Sequence, residues 1–412
     1  MIVLIFITIM IILISYKKYK NVYNPATLFS VIWLVVFSLY SLKLLDYYEL
    51  SKRSYIVLFI QMVAFSIGCF AADYRRISFR KKKKYEPRLW LIYIFAGVTI
   101  ANLLSETLIQ IQSLINGMSF YQIAAANLIQ ENNSTGWMVL LKVFVVFPTV
   151  YGISAITASL LMSGVINKVL IVLNVVIVAL YTLQHGARSV LILMLLTYLF
   201  AFLIGNKHKN IDKKTKYLIV SFVVLVIFVS SWLTDSRGVE NVGIHIYRYL
   251  SETVVVMDQW LKRIDSAGII TYGLTSLGGF IYPIFLLLKG TGIISIYPAT
   301  LDISRKLLQA TEIHVPIGTG SNMTANAFVG TSFAFYADGG YLFVAIGLFI
   351  YGYICMNTFI LSQRKNDLRL KAISLFLLVT VATSFMRYPF VSYNYGMVLW
   401  LYLIFYKRKE IN

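Results

Sequence analysis

The sequence predicts an all-α polytopic membrane protein with about 11 transmembrane helices and one large, partly helical external loop. Three observations carry this. Of 412 residues, 59% are hydrophobic and only 13% are charged, where a soluble chain carries about 25% charged residues. The apolar residues come in runs of 16 or more, long enough to approach the hydrocarbon thickness as helix. These runs are continuous, whereas a barrel would show short segments of alternating polarity.

The elements follow in order. Residues 1–16 have no basic region ahead of the apolar run and no small-residue cleavage site after it, so they read as a first span and not a cleaved signal. Further helices are predicted at 26–42, 55–72, 89–108, 137–162, 169–184, 190–204 and 217–233. The last three fall at 339–361, 371–386 and 391–406. The chain thus divides into helices one to eight over 1–233, an external loop over 234–338, and helices nine to eleven over 339–412.

Charge orients the spans. The loops 17–25, 73–88, 163–168, 205–216, 362–370 and 407–412, with the adjoining Lys371, hold 24 of the 37 Lys and Arg residues. By the positive-inside rule that face is cytoplasmic, the amino terminus lies outside and the carboxyl terminus inside. The net charge of +20 is therefore a topology signal with a share for anionic headgroups, and nucleic acid is not an expected partner.

Residues 234–338 carry eight of the seventeen acidic residues, and a loop this long should fold. Within it Ile244, Tyr247, Leu250, Val254, Met257 and Leu261 recur at helical spacing. Arg248, Glu252, Gln259 and Arg263 fall on the opposite face, which predicts an amphipathic helix on the membrane surface. Residues 277–288, "LGGFIYPIFLLL", are too short to span and read as re-entrant, interfacial or packed within the loop domain.

Soluble-enzyme motifs are missing: the chain has no GxxxxGK[ST], HExxH, GxSxG or CxxC. Cys69 and Cys355 both lie in apolar runs, and the four histidines are scattered. No nucleotide cradle, metal site or other cofactor is expected.

What remains is a set of arginines on the disfavoured outer side. Arg188 sits in the hairpin "LQHGARSVLIL", Arg237 in "TDSRGVEN", Arg248 on the amphipathic helix and Arg387 in "SFMRYPF". One such arginine alone would snorkel to the headgroups. Four of them suit a phosphate-bearing ligand, because the guanidinium fork holds phosphate oxygens in pairs. A second cluster, residues 322–347, is dense in glycine and aromatics around Asp338. Asp338 reads either as a helix cap or as a lumen-facing carboxylate fit for base work. The aromatics either stack on sugars or pack. Asp235, Glu240, Glu252, Asp258 and Glu312 compete for the base role, with Glu106 a further candidate near a span end.

Three stretches resemble the O-antigen polymerase (Wzy-type) family of oligosaccharide repeat-unit polymerases. They are "HGARSVLILMLL", "YRYLSETVVVMDQWL" and "NAFVGTSFAFYADGGYLFVAIG". The start of the second span, "YNPATLFSVIWLVVFSLYSL", resembles the family more weakly. The layout of spans with one late external loop is similar to the family over nearly the whole chain, the motifs over about sixty residues.

The resemblance implies a GT-C-like fold and a glycosyltransferase in a bacterial cytoplasmic membrane. It implies polymerisation of undecaprenyl-diphosphate-linked repeat units on the outer face, for O-antigen, capsule or exopolysaccharide. A flippase and a chain-length-regulating co-polymerase would be partners. Arg188, Arg237, Arg248 and Arg387 are then expected at the diphosphate. Asp338, Glu240 and Asp235 are expected, in that order, as the base, and Asn326 and Tyr336 along the sugar path. The alternatives are an O-antigen ligase-like transferase, which shares this logic, and a polysaccharide flippase or transporter, which would show internal repeats and mid-membrane charges.

Overall fold

The computed structural model describes residues 1–72, 84–118, 122, 136–185, 189–205, 242–319, 323–365 and 367–409. The first seven predicted spans fall on helices α1 (Ile2–Tyr19), α2 (Pro25–Ser41), α3 (Lys52–Ala71), α4 (Leu89–Ile115), α5 (Trp137–Met162), α6 (Lys168–His185) and α7 (Ser189–Gly205). The eighth, 217–233, lies outside the described residues. The external loop contains α8 (Val242–Ser251), α9 (Thr253–Ser266), α10 (Gly278–Gly290) and α11 (Ala299–Ala310). The last three spans fall on α12 (Ser332–Arg364), α13 (Leu368–Ala382) and α14 (Tyr393–Phe405). Among the described residues six helices, α1, α3, α4, α5, α6 and α12, are long and apolar enough to cross a membrane. Among the described residues there are four two- to four-residue strands: β1 (Lys84–Pro87), β2 (Val315–Pro316), β3 (Thr324–Ala325) and β4 (Tyr406–Lys409).

The chain forms two compact units that cut across its linear parts. The first gathers Met1–Lys81, Gly243–Arg364 and Thr380–Gly396. Its centre is the pair α3 and α12. Glycine makes their contact possible: a Cβ on Gly68 would lie 2.0 Å from the Phe349 carbonyl oxygen, and one on Gly352 would lie 2.2 Å from that of Phe65. Small residues that let backbones touch are the usual glue where helices lack a hydrophobic drive to associate. Around this seam Phe29 stacks on Phe65 at 4.0 Å, and Tyr351 meets Phe65 edge-on at 5.5 Å. Asn24 caps α2 by accepting from Thr27 N–H at 3.0 Å, ahead of a proline in the first turn, the arrangement that best satisfies a helix start.

The predicted amphipathic helix is corrected in two respects. It breaks in two at Glu252, and its second half does not lie on a surface. Residues 251–258 are buried without interruption, and α9 packs against α2, α3 and α12. Periodicity showed one apolar face; the run Val254-Val255-Val256-Met257 is apolar all round, which marks a core helix. Asp258 fastens α9 to the start of α3, accepting from Ser51 N–H at 3.1 Å and Ser54 Oγ at 2.6 Å. Residues 277–288 fall on α10, whose first turn is tightly packed within its unit. Cβ atoms on Gly279 and Gly396 would each fall 2.4 Å from a backbone oxygen, of Ser392 and Gly279 respectively.

The second unit holds Lys82–Val242, Lys365–Val379 and Met397–Asn412. There α4, α5, α6 and α7 pack together, and α5 contains one π-helical stretch, Lys142–Val146. β1 and β4 pair antiparallel, Tyr85 opposite Arg408. Lys371 donates to Ser163 Oγ at 2.8 Å. These contacts join 84–87 to 406–409, and Lys371 to the edge of the loop after α5, places that the charge pattern assigns to one side.

Candidate functional site

In the first unit the frame is the segment 311–328, which follows α11. Its ends are tied by Ala327 N–H donating to the Thr311 carbonyl at 2.8 Å, and β2 pairs with β3. The segment 45–48 adds to it as a third strand-like run. Tyr48 N–H donates to the Ile317 carbonyl at 2.9 Å and Thr319 N–H to that of Asp46 at 3.1 Å. Gly318 is required there, since a Cβ would lie 2.4 Å from the Asp46 oxygen.

Two of the predicted arginines meet this frame. Arg248, in the last turn of α8, donates from Nε to Glu252 Oε2 at 3.1 Å and from Nη2 to the Thr324 carbonyl. Arg387 donates from Nη2 to Thr311 Oγ1 at 2.8 Å and to Glu312 Oε1 at 2.7 Å. Asn326 donates from Nδ2 to the Glu312 carbonyl at 2.7 Å. Arg248, Arg387 and Asn326, up to 139 residues apart in the chain, therefore converge on one segment.

Glu252 sits at the break between α8 and α9 with its side chain only 6% exposed. Burial pushes its carboxyl up to about 7, against the pull of the Arg248 charge and hydrogen bond. A carboxyl at that value is matched to general base work near neutral pH. Next to it, Ser251 Oγ donates to the Tyr247 carbonyl at 2.7 Å, so Tyr47 supplies the proton in their 2.9 Å contact. Burial, outweighing the bond to Ser251, pushes the Tyr47 hydroxyl up to about 12, and it stays a phenol.

Asp338 does not face a lumen. It is fully buried, and its carboxylate accepts from Thr271 Oγ1 at 2.6 Å, Thr275 N–H at 2.9 Å and Ser276 N–H at 3.0 Å. It caps a turn ahead of α10 and does not cap its own helix. Gly340, with φ 66°, breaks α12 just beyond it, a backbone position that glycine adopts without cost. Tyr336 is also corrected: it is buried and its hydroxyl donates to both Asp265 oxygens, at 3.0 and 3.1 Å. Arg53 reaches the same carboxylate at 2.7 Å. The neighbouring aromatics pack. Phe333 and Phe335 are buried, and Phe328 lies against Tyr249 at 4.9 Å.

Arg188, Arg237, Asp235 and Glu240 lie outside the described residues. Glu106 belongs to the second unit, where Lys142 Nζ stands 2.9 Å from it and Gln184 donates to it. Among the described residues no three of His, Cys, Asp and Glu gather as a metal-ligand set. Thr311, Thr324, Ser251 and Tyr47 were not legible as site residues, since each acts through contacts made only on folding. The Arg248–Glu252 pair was legible as an i,i+4 spacing, though its burial was not.

Fold and site together define an all-α protein with helices of membrane-crossing length and two arginines, each paired with an acid, that meet one folded segment. Compared with family models, curated proteins and solved structures, the chain matches none.

Proposed function

We propose that the protein is a membrane glycosyltransferase that joins oligosaccharide repeat units carried on undecaprenyl diphosphate, at the outer face of a bacterial cytoplasmic membrane. The convergence of Arg248 and Arg387 on the segment 311–328, beside the buried Glu252, is the observation that carries this reading. About 11 spans in a GT-C-like arrangement accompany it.

The chemistry is a displacement. An acceptor sugar hydroxyl attacks the anomeric carbon of the growing chain, the bond from that carbon to the diphosphate oxygen breaks, and undecaprenyl diphosphate leaves with the electron pair. Arginine forks stabilise the charge that develops on the leaving group. Arg248 and Arg387 serve that role, and the sequence adds Arg188 and Arg237 as further candidates. The acceptor proton passes to a carboxylate. Asp338 is poorly suited, because it is fully buried and its oxygens are already taken by Thr271, Thr275 and Ser276. Glu252 suits better on burial and pKa, with Asp235 and Glu240 as further candidates. Asn326 holds the turn that receives Arg387, and Tyr336 holds the Arg53–Asp265 pair.

Purified protein in nanodiscs is mixed with undecaprenyl-diphosphate repeat units, and product length is followed on a gel. A ladder is expected. A single transfer without growth would favour the ligase-like transferase, and no transfer would sink both readings. Arg248→Lys, which keeps the charge and loses the fork, is expected to lower chain growth by about 10²-fold, the scale of losing one preorganised donor.

A further inference from the structure

The segment 43–49 and Thr319 flank an open cleft of ≈ 280 Å³ in the first unit, lined by Tyr40, Lys43, Leu45, Asp46, Tyr47, Glu49 and Thr319. Its volume lies at the small end of ligand pockets, which begin near about 300 Å³, so it admits one or two small rings and not a lipid tail or a folded peptide. The Tyr40 and Tyr47 rings stack at 6.4 Å and form one wall. Both phenolic protons are already committed, Tyr40 to the Tyr48 carbonyl at 3.3 Å and Tyr47 to Ser251. Each phenolic oxygen is left as an acceptor.

The opposite chemistry is carboxylate. Lys43 Nζ stands 3.6 Å from Glu49 Oε1, whereas the Asp46 carboxylate has no protein partner among the described residues. Its described lining therefore carries one net negative charge and a surplus of acceptors. That balance repels phosphate and favours a ligand that offers several donors from neighbouring hydroxyls. A flat aromatic face beside acceptors for paired hydroxyls suits a sugar ring, whose C–H face lies on the aromatic ring while its hydroxyls reach the carboxylates.

We propose that this cleft is a carbohydrate subsite, which takes a sugar ring of the acceptor glycan between the Tyr47 ring and the Asp46 and Glu49 carboxylates. Its place as an acceptor site rests on the glycosyltransferase reading above. Tyr47 ties it to Ser251, the residue before Glu252, so a ring seated there lies at the side of the candidate base. The leaving group and the acceptor are then served by opposite charge: arginines for one, carboxylates for the other.

The test needs no lipid substrate. Labelled full-length protein in nanodiscs is applied to a printed glycan array, then titrated with the free sugar of the strongest spot. Saturable binding is expected, weakened about tenfold or more in Asp46→Asn, the size expected for losing a charged acceptor. Glu49→Gln, at an exposed position where folding is not at risk, is expected to weaken it as well. Inorganic pyrophosphate is expected not to compete. No binding to any glycan, binding unchanged in both variants, or displacement by pyrophosphate would each overturn the proposal. Glycan binding without chain growth in the polymerase assay would keep the subsite and sink the polymerase. Chain growth with an unchanged acceptor KM in both variants would do the reverse.

Discussion

Glu252 stands between two demands. Burial favours its neutral form, and Arg248 at 3.1 Å favours its anion. Burial wins, and the carboxyl rises from 4.5 to about 7. Between those values the folded protein holds a proton that the unfolded chain has released. The contribution of this group to stability is therefore full below 4.5 and is lost as pH rises through about 7. If it is the base, activity runs the other way: the rate falls about tenfold per unit of pH below 7 and levels above it. Glu252→Gln is expected to remove both dependences, the first read by thermal unfolding against pH and the second by the rate profile. A rate profile unchanged in Glu252→Gln would pass the base role to another acid. Asp338 differs in its partners. Both carboxyls are buried, but three donors from one turn occupy the Asp338 oxygens, two of them backbone amides. Neither outcome was legible locally. The i,i+4 spacing of Arg248 and Glu252 could be read from the sequence; the sequence started the ninth span at 339, where the structure has a kink inside α12. The donors to Asp338 come from residues more than sixty positions away.

At the scale of elements, the α3–α12 seam depends on the missing side chains of Gly68 and Gly352. Gly68→Ala would set a methyl 2.0 Å from the Phe349 oxygen, which is backbone and cannot rotate away. The helices must part, at a cost of about 1–3 kcal/mol, and a lowered melting temperature in detergent is the expected reading. Gly97→Ala is the control, because nothing lies within 4 Å of the added Cβ and alanine is the better helix former. An equal loss in both variants would show that the seam is not set by close packing. Helix positions were legible, because a run of apolar residues bounded by charge is a local signal. The fate of α9 was not, because a helix whose apolar face is buried in a protein core and one lying on a membrane share the same periodicity.

For the molecule as a whole, charge asymmetry predicts sidedness, and contacts within each unit give it an independent handle. In the first unit the Arg387 side chain meets Thr311 and Glu312, and the segment 45–48 meets 317–319. In the second, β1 meets β4. Cysteines placed at Lys43 and at Ile313 are expected to react with a membrane-impermeant maleimide applied from outside. One placed at Tyr85 is expected to react only after the membrane is opened. The native Cys69 and Cys355 are buried and give little background. Labelling of the Tyr85 position from outside would overturn the assigned orientation.

The sequence by itself determined that this is a helical protein with several membrane-length helices, and where ten of its described helices run. It did so because hydrophobic run length and charge flanks depend only on neighbours in the chain. Tertiary structure alone decided which polar groups meet. It turned Asp338 and Tyr336 into internal ties, drew Arg248, Arg387 and Asn326 to one segment, and left Asp46, Tyr47 and Glu49 around a cleft. The reason is physical: a carboxylate becomes a tie, a base or a sugar contact according to its donors and its burial, and packing of distant segments sets both.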